Sequence, residues 1–138
     1  MAMEAWARFS VAFSKFIHIS DSHMQAITLS LATPKDVILF FSYSGLTKDM
    51  KELMIIAKNR GISVIMITHF AESPGAKYAD VVLLCGHNES PLQSGSIAAK
   101  VGQMFLIECL FYGLCKKDPE AAKNARAATA SAVARKWL

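Results

Sequence analysis

Cysteine is scarce in this sequence, and the spacings that usually mark metal sites are missing. The chain has three cysteines, Cys85, Cys109 and Cys115, and no two of them form a C-x-x-C pair. This fits reduced core thiols in a cytoplasmic protein better than a disulfide framework or a zinc site. The four histidines show no helical H-x-x-x-H pairing. We therefore expect no bound metal ion and no other cofactor.

Charged residues are also few, at 19% of the chain against 53% hydrophobic residues. The net charge is +4, but there is no block of five or six like charges and no recognisable helix-turn-helix. We therefore expect no nucleic-acid binding by this chain alone. No apolar run approaches the roughly 18 residues of a membrane span, and the N-terminal MAMEAWARF is a poor signal peptide. These features predict a cytoplasmic protein that does not associate with a membrane.

The apolar residues follow two alternating periodicities. Short apolar runs predict strands at Val37–Phe41, at 63–67 and at Val81–Leu84, with a weaker signal at 16–19. Helical spacing predicts helices over residues 5–16, 24–31, 46–60, 97–112 and 121–138. Strands that alternate with amphipathic helices indicate βαβ units. The pattern predicts an α/β fold, a three-layer αβα sandwich with a mostly parallel, flavodoxin-like sheet, in a single domain spanning residues 1–138.

A cluster of small polar residues, SYSGLT at 42–47, follows the first confident strand. In parallel sheets ligands bind at the carboxyl ends of the strands, and the helix that follows offers free N–H groups there. The hydroxyls of Ser42, Ser44 and Thr47 add donors, while Gly45 lets the backbone approach closely. Hydroxyl and N–H donors at the start of a helix are groups that bind a phosphate. A plain turn with a helix N-cap explains Thr47 but not the whole cluster.

Two nucleotide-binding patterns are missing from the sequence. Neither a G-x-x-x-x-G-K-[ST] loop nor a G-x-G-x-x-G fingerprint occurs. A small phosphorylated ligand is therefore expected in preference to a nucleotide.

Two longer segments resemble a known family. DVILFFSYSGLTKDM, followed by GISVIMITHFAESPGAKYADVVLL, is similar to the SIS (sugar isomerase) domain, with S-x-S-G-x-T, V-I-x-I-T and S-P-x-A-x-x-A-D in the family's order. The similarity covers roughly residues 36–114, is weaker upstream through SDSHMQ, and is greatest to the effector-binding domain of RpiR-type transcriptional regulators. It implies a loop that binds the phosphate of a phosphorylated sugar or amino sugar. The implied phosphate-binding residues are Ser42, Tyr43, Ser44, Gly45, Leu46 and Thr47, and weaker candidates for the sugar are Ser22, His23 and Glu89.

The sequence departs from this family at its beginning. SIS domains normally start with a strand and a G-x-G-x-S loop, and RpiR-type regulators carry a helix-turn-helix domain before them. Neither is found upstream of Ala5. We therefore expect an N-terminally truncated domain in which one edge strand is unpaired, covered by a second copy of the chain, or capped by a helix.

Three functions remain open at this point. A sensor domain needs only the phosphate loop, which is present. An aldose–ketose isomerase needs a catalytic base, for which Glu89, Glu108 and His87 are weak candidates. Glu108 lies in an apolar stripe, where burial would raise its pKa, or it is a paired structural carboxylate. A purely structural dimerisation module would use the long helix and the alanine-rich C-terminal helix. No acid–base pair is evident, so a sensor is favoured, in a homodimer or homotetramer.

Overall fold

The computed structural model describes residues 1–45, 47–86, 96–134 and 136. The chain divides into two compact units, one made of Met1–His18 with Met104–Leu138 and the other of Ile19–Gln103. In chain order the elements are α1 (Ala2–Ser10), α2 (Ser22–Leu31), β1 (Val37–Phe41), α3 (Lys48–Asn59), β2 (Ser63–Thr68), a 3-10 turn (Ala76–Tyr78), β3 (Val81–Leu84), α4 (Ile97–Lys117) and α5 (Pro119–Ala134).

The Ile19–Gln103 unit is built on a three-stranded parallel sheet in the order β1-β2-β3. Val37 of β1 pairs with Ser63 of β2, and Ile65 of β2 pairs with Val81 of β3. The carboxyl ends of β1 and β2 therefore lie side by side. Within the part of the chain that the structure describes, β1 and β3 are the two edges of this sheet.

The core of this unit lies between α3 and β2. The buried face of α3 carries Met50, Leu53, Met54 and Ala57. Of these, Met50, Met54 and Ala57 pack in one cluster with Val64 and Met66 of β2. Side chains as buried as Met54 and Met66 each stabilise the fold by about 1.5–3 kcal/mol.

The turn that joins α3 to β2 depends on a glycine. Gly61 takes a φ of +68°, a left-handed conformation that glycine adopts without strain. Its N–H donates to the Lys58 carbonyl at 3.1 Å, and the next N–H, of Ile62, donates to the Ala57 carbonyl at 3.0 Å. The chain therefore reverses within a few residues and enters β2 in register with β1.

The other unit is helical, and its core is a cluster of aromatic rings. Phe9 and Phe111 are almost fully buried, with ring centroids 6.0 Å apart in an edge-to-face arrangement. Phe16 stacks on Phe9 at 4.3 Å. At the start of α5, Asp118 accepts a hydrogen bond from the Ala121 N–H at 3.0 Å. Asp118 therefore caps the N-terminus of α5.

One expectation about hydrophobic segments is wrong. The 21 residues of α4 are long and apolar enough to cross a membrane by length and mean hydropathy, and 22% of that window is buried inside the chain. A core helix of a soluble protein passes the same test. Several large apolar side chains of α4 are exposed, namely Ile97, Val101, Met104, Phe105 and Tyr112.

Most predicted elements are confirmed, and so is the α/β class with its parallel sheet. All three confident strands are present within one residue of their predicted ends. The weaker strand predicted at 16–19 is wrong, because Phe16 packs in the aromatic cluster. The Ile19 carbonyl accepts its hydrogen bond from the Gln25 side chain at 2.6 Å. Residues 16–19 therefore form no strand and lie in the irregular segment between α1 and α2.

Candidate functional site

The loop at 42–47 begins where β1 ends, and its backbone is held by β2. The Ser42 N–H donates to the Ile67 carbonyl at 3.0 Å. The Tyr43 carbonyl accepts two hydrogen bonds, from the His69 N–H at 3.2 Å and from the buried Thr68 hydroxyl at 3.1 Å. These bonds extend the β1–β2 pairing past the end of β1, so the loop starts from a fixed position.

A second segment packs against this loop at Gly45. Gly45 has a φ of +64°, and a Cβ placed on it would collide with the side chain of Ser73. The Gly75 N–H donates to the Gly45 carbonyl at 3.1 Å. The S-x-S-G-x-T and S-P-x-A motifs are therefore in direct contact, since the second motif fixes the glycine of the first.

The hydroxyl groups of the loop have different roles. The Ser42 hydroxyl accepts a hydrogen bond from the Gly45 N–H at 3.1 Å, which orders the turn and leaves its own O–H able to donate. Thr47 is the N-cap residue of α3, but its side chain makes no capping hydrogen bond. Among the described residues, none forms a hydrogen bond with the Ser44 hydroxyl. Ser44 and Thr47 therefore have donors to offer a ligand.

Helix α3 begins directly after these hydroxyls. Its first residue is Lys48, so the N–H groups of its first turn and the positive end of its dipole lie beside the loop. Lys48 is exposed, and its one ion pair within the described part of the chain is a long one with Glu52, at 3.9 Å. Asp49 in the same turn carries the opposite charge. The local field for an anion comes mainly from the backbone and Lys48.

A histidine that the sequence prediction missed lies next to this loop. His69 follows β2 directly, and its ring is stacked on the Tyr43 ring with centroids 5.2 Å apart and planes 12° apart. Its Nδ1 is 2.9 Å from the Cys85 carbonyl oxygen. The sequence did contain a signal for His69. It is a polar residue immediately after a strand, at the sheet edge where the SYSGLT loop begins.

The remaining predicted residues are not joined to the loop by the structure. Ser22 and His23 are exposed in the first turn of α2, where Asp21 is the N-cap and accepts from the Met24 N–H at 2.8 Å. No hydrogen bond links Ser22 or His23 to the loop among the described residues. Leu46, His87 and Glu89 lie outside those residues.

Of the two roles left open for Glu108, the structure shows the paired carboxylate, and its pKa is lowered and not raised. Arg8 donates to both of its oxygens, with 2.8 Å between Nη2 and Oε2. These hydrogen bonds lower the pKa of Glu108 below its ordinary value and raise the pKa of Arg8. The Arg8 guanidinium also lies 3.8 Å from the centre of the Phe111 ring. The carboxylate is therefore held ionised within the helical unit.

Other potential binding features use residues outside the loop. The described residues contain no group of three or more metal-ligating side chains. A broad concavity of about 790 Å³ is present in the helical unit and is lined mainly by apolar side chains of α5 and the end of α4. None of its lining residues belongs to the 42–47 loop. The geometry of that loop suits a small oxyanion held by hydroxyl and N–H donors.

Comparison with known proteins identifies relatives of this chain. The SIS domain model matches residues 2–112. The uncharacterized HTH-type transcriptional regulator YbbH of Bacillus subtilis is 31% identical over 120 residues, which cover 86% of this chain and 41% of YbbH. The HTH-type transcriptional regulator RpiR of Escherichia coli K12 is 33% identical over 102 residues, covering 74% of this chain and 34% of RpiR.

A solved structure shares the fold closely. Vibrio vulnificus NanR, determined in complex with ManNAc-6P, matches with a TM-score of 0.90 and 28% identity, covering 99% of this chain and 51% of the NanR chain. The chain thus spans between about a third and about half of the lengths of these three proteins.

Proposed function

Because the chain belongs to the SIS domain family, we propose that it is the phosphosugar-binding sensor domain of a transcriptional regulator of carbohydrate metabolism. The observation that carries this proposal is the loop at 42–47, which has three hydroxyl-bearing residues and leads directly into the first turn of α3. The regulators YbbH and RpiR support the regulatory role, and the NanR complex with ManNAc-6P supports a phosphorylated sugar as ligand.

The phosphate is proposed to bind at the loop, on Ser42, Ser44 and Thr47. Their O–H groups donate to phosphate oxygens, and N–H groups of the loop and of the first turn of α3 add further donors. Each charge-assisted hydrogen bond contributes about 1.5–3 kcal/mol. Gly45 keeps the backbone close to the phosphate, because any larger residue would collide with Ser73.

The sugar is proposed to be a hexose or amino-sugar phosphate. The Ser22 and His23 side chains, exposed in the first turn of α2, and Glu89 stay candidates for contacting it. DNA would be bound by another part of the regulator, and the whole protein would act in the cytoplasm as a homodimer or homotetramer. The exposed apolar side chains of α4 suit such an assembly.

The test of ligand binding is calorimetry with wild type and a Ser44→Ala variant. The ligands are ManNAc-6P, glucose 6-phosphate and the two unphosphorylated sugars. Wild type should bind at least one phosphosugar and neither free sugar. Loss of one charge-assisted bond should weaken that binding by roughly 10- to 150-fold in Ser44→Ala.

A matched control is Ser131→Ala, which removes an exposed hydroxyl from α5 and should bind as wild type does. Equal affinity of Ser44→Ala and wild type would remove the loop from the phosphate site. Conversion of any of these sugars, followed by NMR, would show an enzyme in place of a sensor.

A further inference from the structure

His69 is held at the edge of the sheet by three contacts that fix its ring. Its Nδ1 is 2.9 Å from the Cys85 carbonyl oxygen at the end of β3. The ring faces Tyr43 at 5.2 Å, and Phe70 lies edge-on to it at 4.6 Å. The side chain is half-buried, and these three contacts fix its orientation.

The contact with Cys85 determines which ring nitrogen carries the proton. A carbonyl oxygen only accepts hydrogen bonds, so Nδ1 must be the donor. In the neutral ring Nε2 is then left as an acceptor that points away from that carbonyl. No hydrogen-bond partner of Nε2 is found in the described part of the chain.

Gly86 makes the position of the ring possible. It has a φ of +92°, and a Cβ placed there would lie 2.5 Å from Nδ1 of His69. Any other residue would displace the ring from the Cys85 carbonyl. The chain therefore has a glycine where the imidazole needs space, close to the 42–47 loop.

We propose that Nε2 of His69 accepts a hydrogen bond from a hydroxyl group of the sugar whose phosphate lies on the 42–47 loop. This inference rests on the function proposed above. The stack on Tyr43 holds the imidazole against a residue of the loop on which the phosphate is proposed to lie. An unprotonated nitrogen repels the lone pairs of phosphate oxygens but accepts from a hydroxyl. His69 therefore contacts the sugar directly and contributes to specificity between sugar phosphates.

A purely structural role for His69 makes a different prediction, which one substitution can test. In His69→Asn the side-chain amide N–H can replace Nδ1–H as donor to the Cys85 carbonyl, but nothing replaces Nε2. If the ring serves only to join the ends of β2 and β3, this variant should bind sugar phosphates as wild type does. If Nε2 contacts the sugar, affinity should fall although the fold is retained.

The experiment is calorimetry on wild type, His69→Asn and Ser44→Ala with ManNAc-6P, glucose 6-phosphate and inorganic phosphate. For the sugar phosphate that wild type prefers, His69→Asn should bind roughly 2- to 12-fold more weakly, the effect of one neutral hydrogen bond. Its affinity for inorganic phosphate should be unchanged, whereas Ser44→Ala should lose affinity for every phosphate tested. Deoxy analogues of the preferred sugar phosphate identify the hydroxyl, since one of them should bind wild type and His69→Asn equally.

An NMR measurement separates the two roles independently. In ¹⁵N-labelled wild type, the Nε2 resonance of His69 should shift on addition of the sugar phosphate and stay in place with inorganic phosphate. Unchanged affinity of His69→Asn for all sugar phosphates, or an unmoved Nε2 resonance, would overturn the proposal for His69 alone. If wild type bound no sugar phosphate, the proposed function would fall and this inference with it.

Discussion

At the residue scale, the proposed phosphate binding by the loop depends on a single backbone conformation. Gly45 combines a φ of +64° with direct contact to Ser73, so a side chain there is disfavoured both by the backbone and by its neighbour. The SYSGLT cluster predicts hydroxyl donors at this loop, and their role as phosphate ligands stays a prediction. The cluster gives no information about Ser73, because that contact joins residues that are distant in sequence.

Replacing Gly45 by alanine should therefore reduce both stability and ligand binding. We expect the free energy of unfolding to fall by about 1–3 kcal/mol, and phosphosugar binding to be lost because the loop moves away from α3. Urea denaturation and calorimetry measure the two effects.

The matched control is Gly113→Ala in α4, where a Cβ meets no atom within 4 Å. A glycine inside a helix is less favourable than alanine by about 0.5–1 kcal/mol, so this variant should be slightly more stable. If Gly45→Ala behaved like Gly113→Ala, the loop would not require a left-handed residue.

At the element scale, the sequence predicted which segments form helices and strands better than how they contact one another. Short apolar runs of strand length indicated β1, β2 and β3, although only β2 is mostly buried in the structure. The spacing of α4 placed Glu108 on an apolar stripe but did not show that Arg8 of α1 pairs with it. Pairs this far apart have no local sequence signal. For the same reason the contact of His69 with Cys85 was not predictable.

The Arg8–Glu108 pair should make stability depend on pH. The pKa of Glu108 is lower in the folded chain than its ordinary value of 4.5, so the unfolded chain binds this proton first as the pH falls. The stabilisation is present above pH 4.5 and is lost as the pH falls through the folded pKa. Wild type should melt at a higher temperature than Glu108→Gln at neutral pH, and this difference should shrink in acid.

Thermal denaturation followed by circular dichroism across this pH range measures the difference. Glu72→Gln, which removes an exposed carboxylate from a loop, is the control and should lack this acid-dependent difference. Melting curves of wild type and Glu108→Gln that stay equally far apart at every pH would contradict the assignment.

At the scale of the whole molecule, several apolar side chains of α4 are exposed, and we predict that they form the interface of the proposed oligomer. Phe105 is 67% exposed, and Ile97 and Val101 are also exposed on the same helix. Burial of such a stripe against a second copy would remove apolar surface from water. Light scattering should therefore give a mass of two or four times 15.1 kDa at micromolar concentration.

A charge in this stripe should dissociate the assembly. Phe105→Asp should shift the mass toward one chain, while Leu31→Asp, at an equally exposed position on α2, should not. A single-chain mass for wild type would contradict the predicted oligomer.

The contact between Gly45 and Ser73 also has an evolutionary consequence. Residues 45 and 73 are in direct contact, so the size of one side chain limits the size of the other. A substitution at one position is therefore tolerated only with certain residues at the other. In a combinatorial library of both positions, selected for phosphosugar response, the surviving pairs should show strong epistasis. The S-x-S-G-x-T and S-P-x-A motifs should then be inherited as one unit, retained together in chains that bind a phosphosugar and eroding together in those that have ceased to.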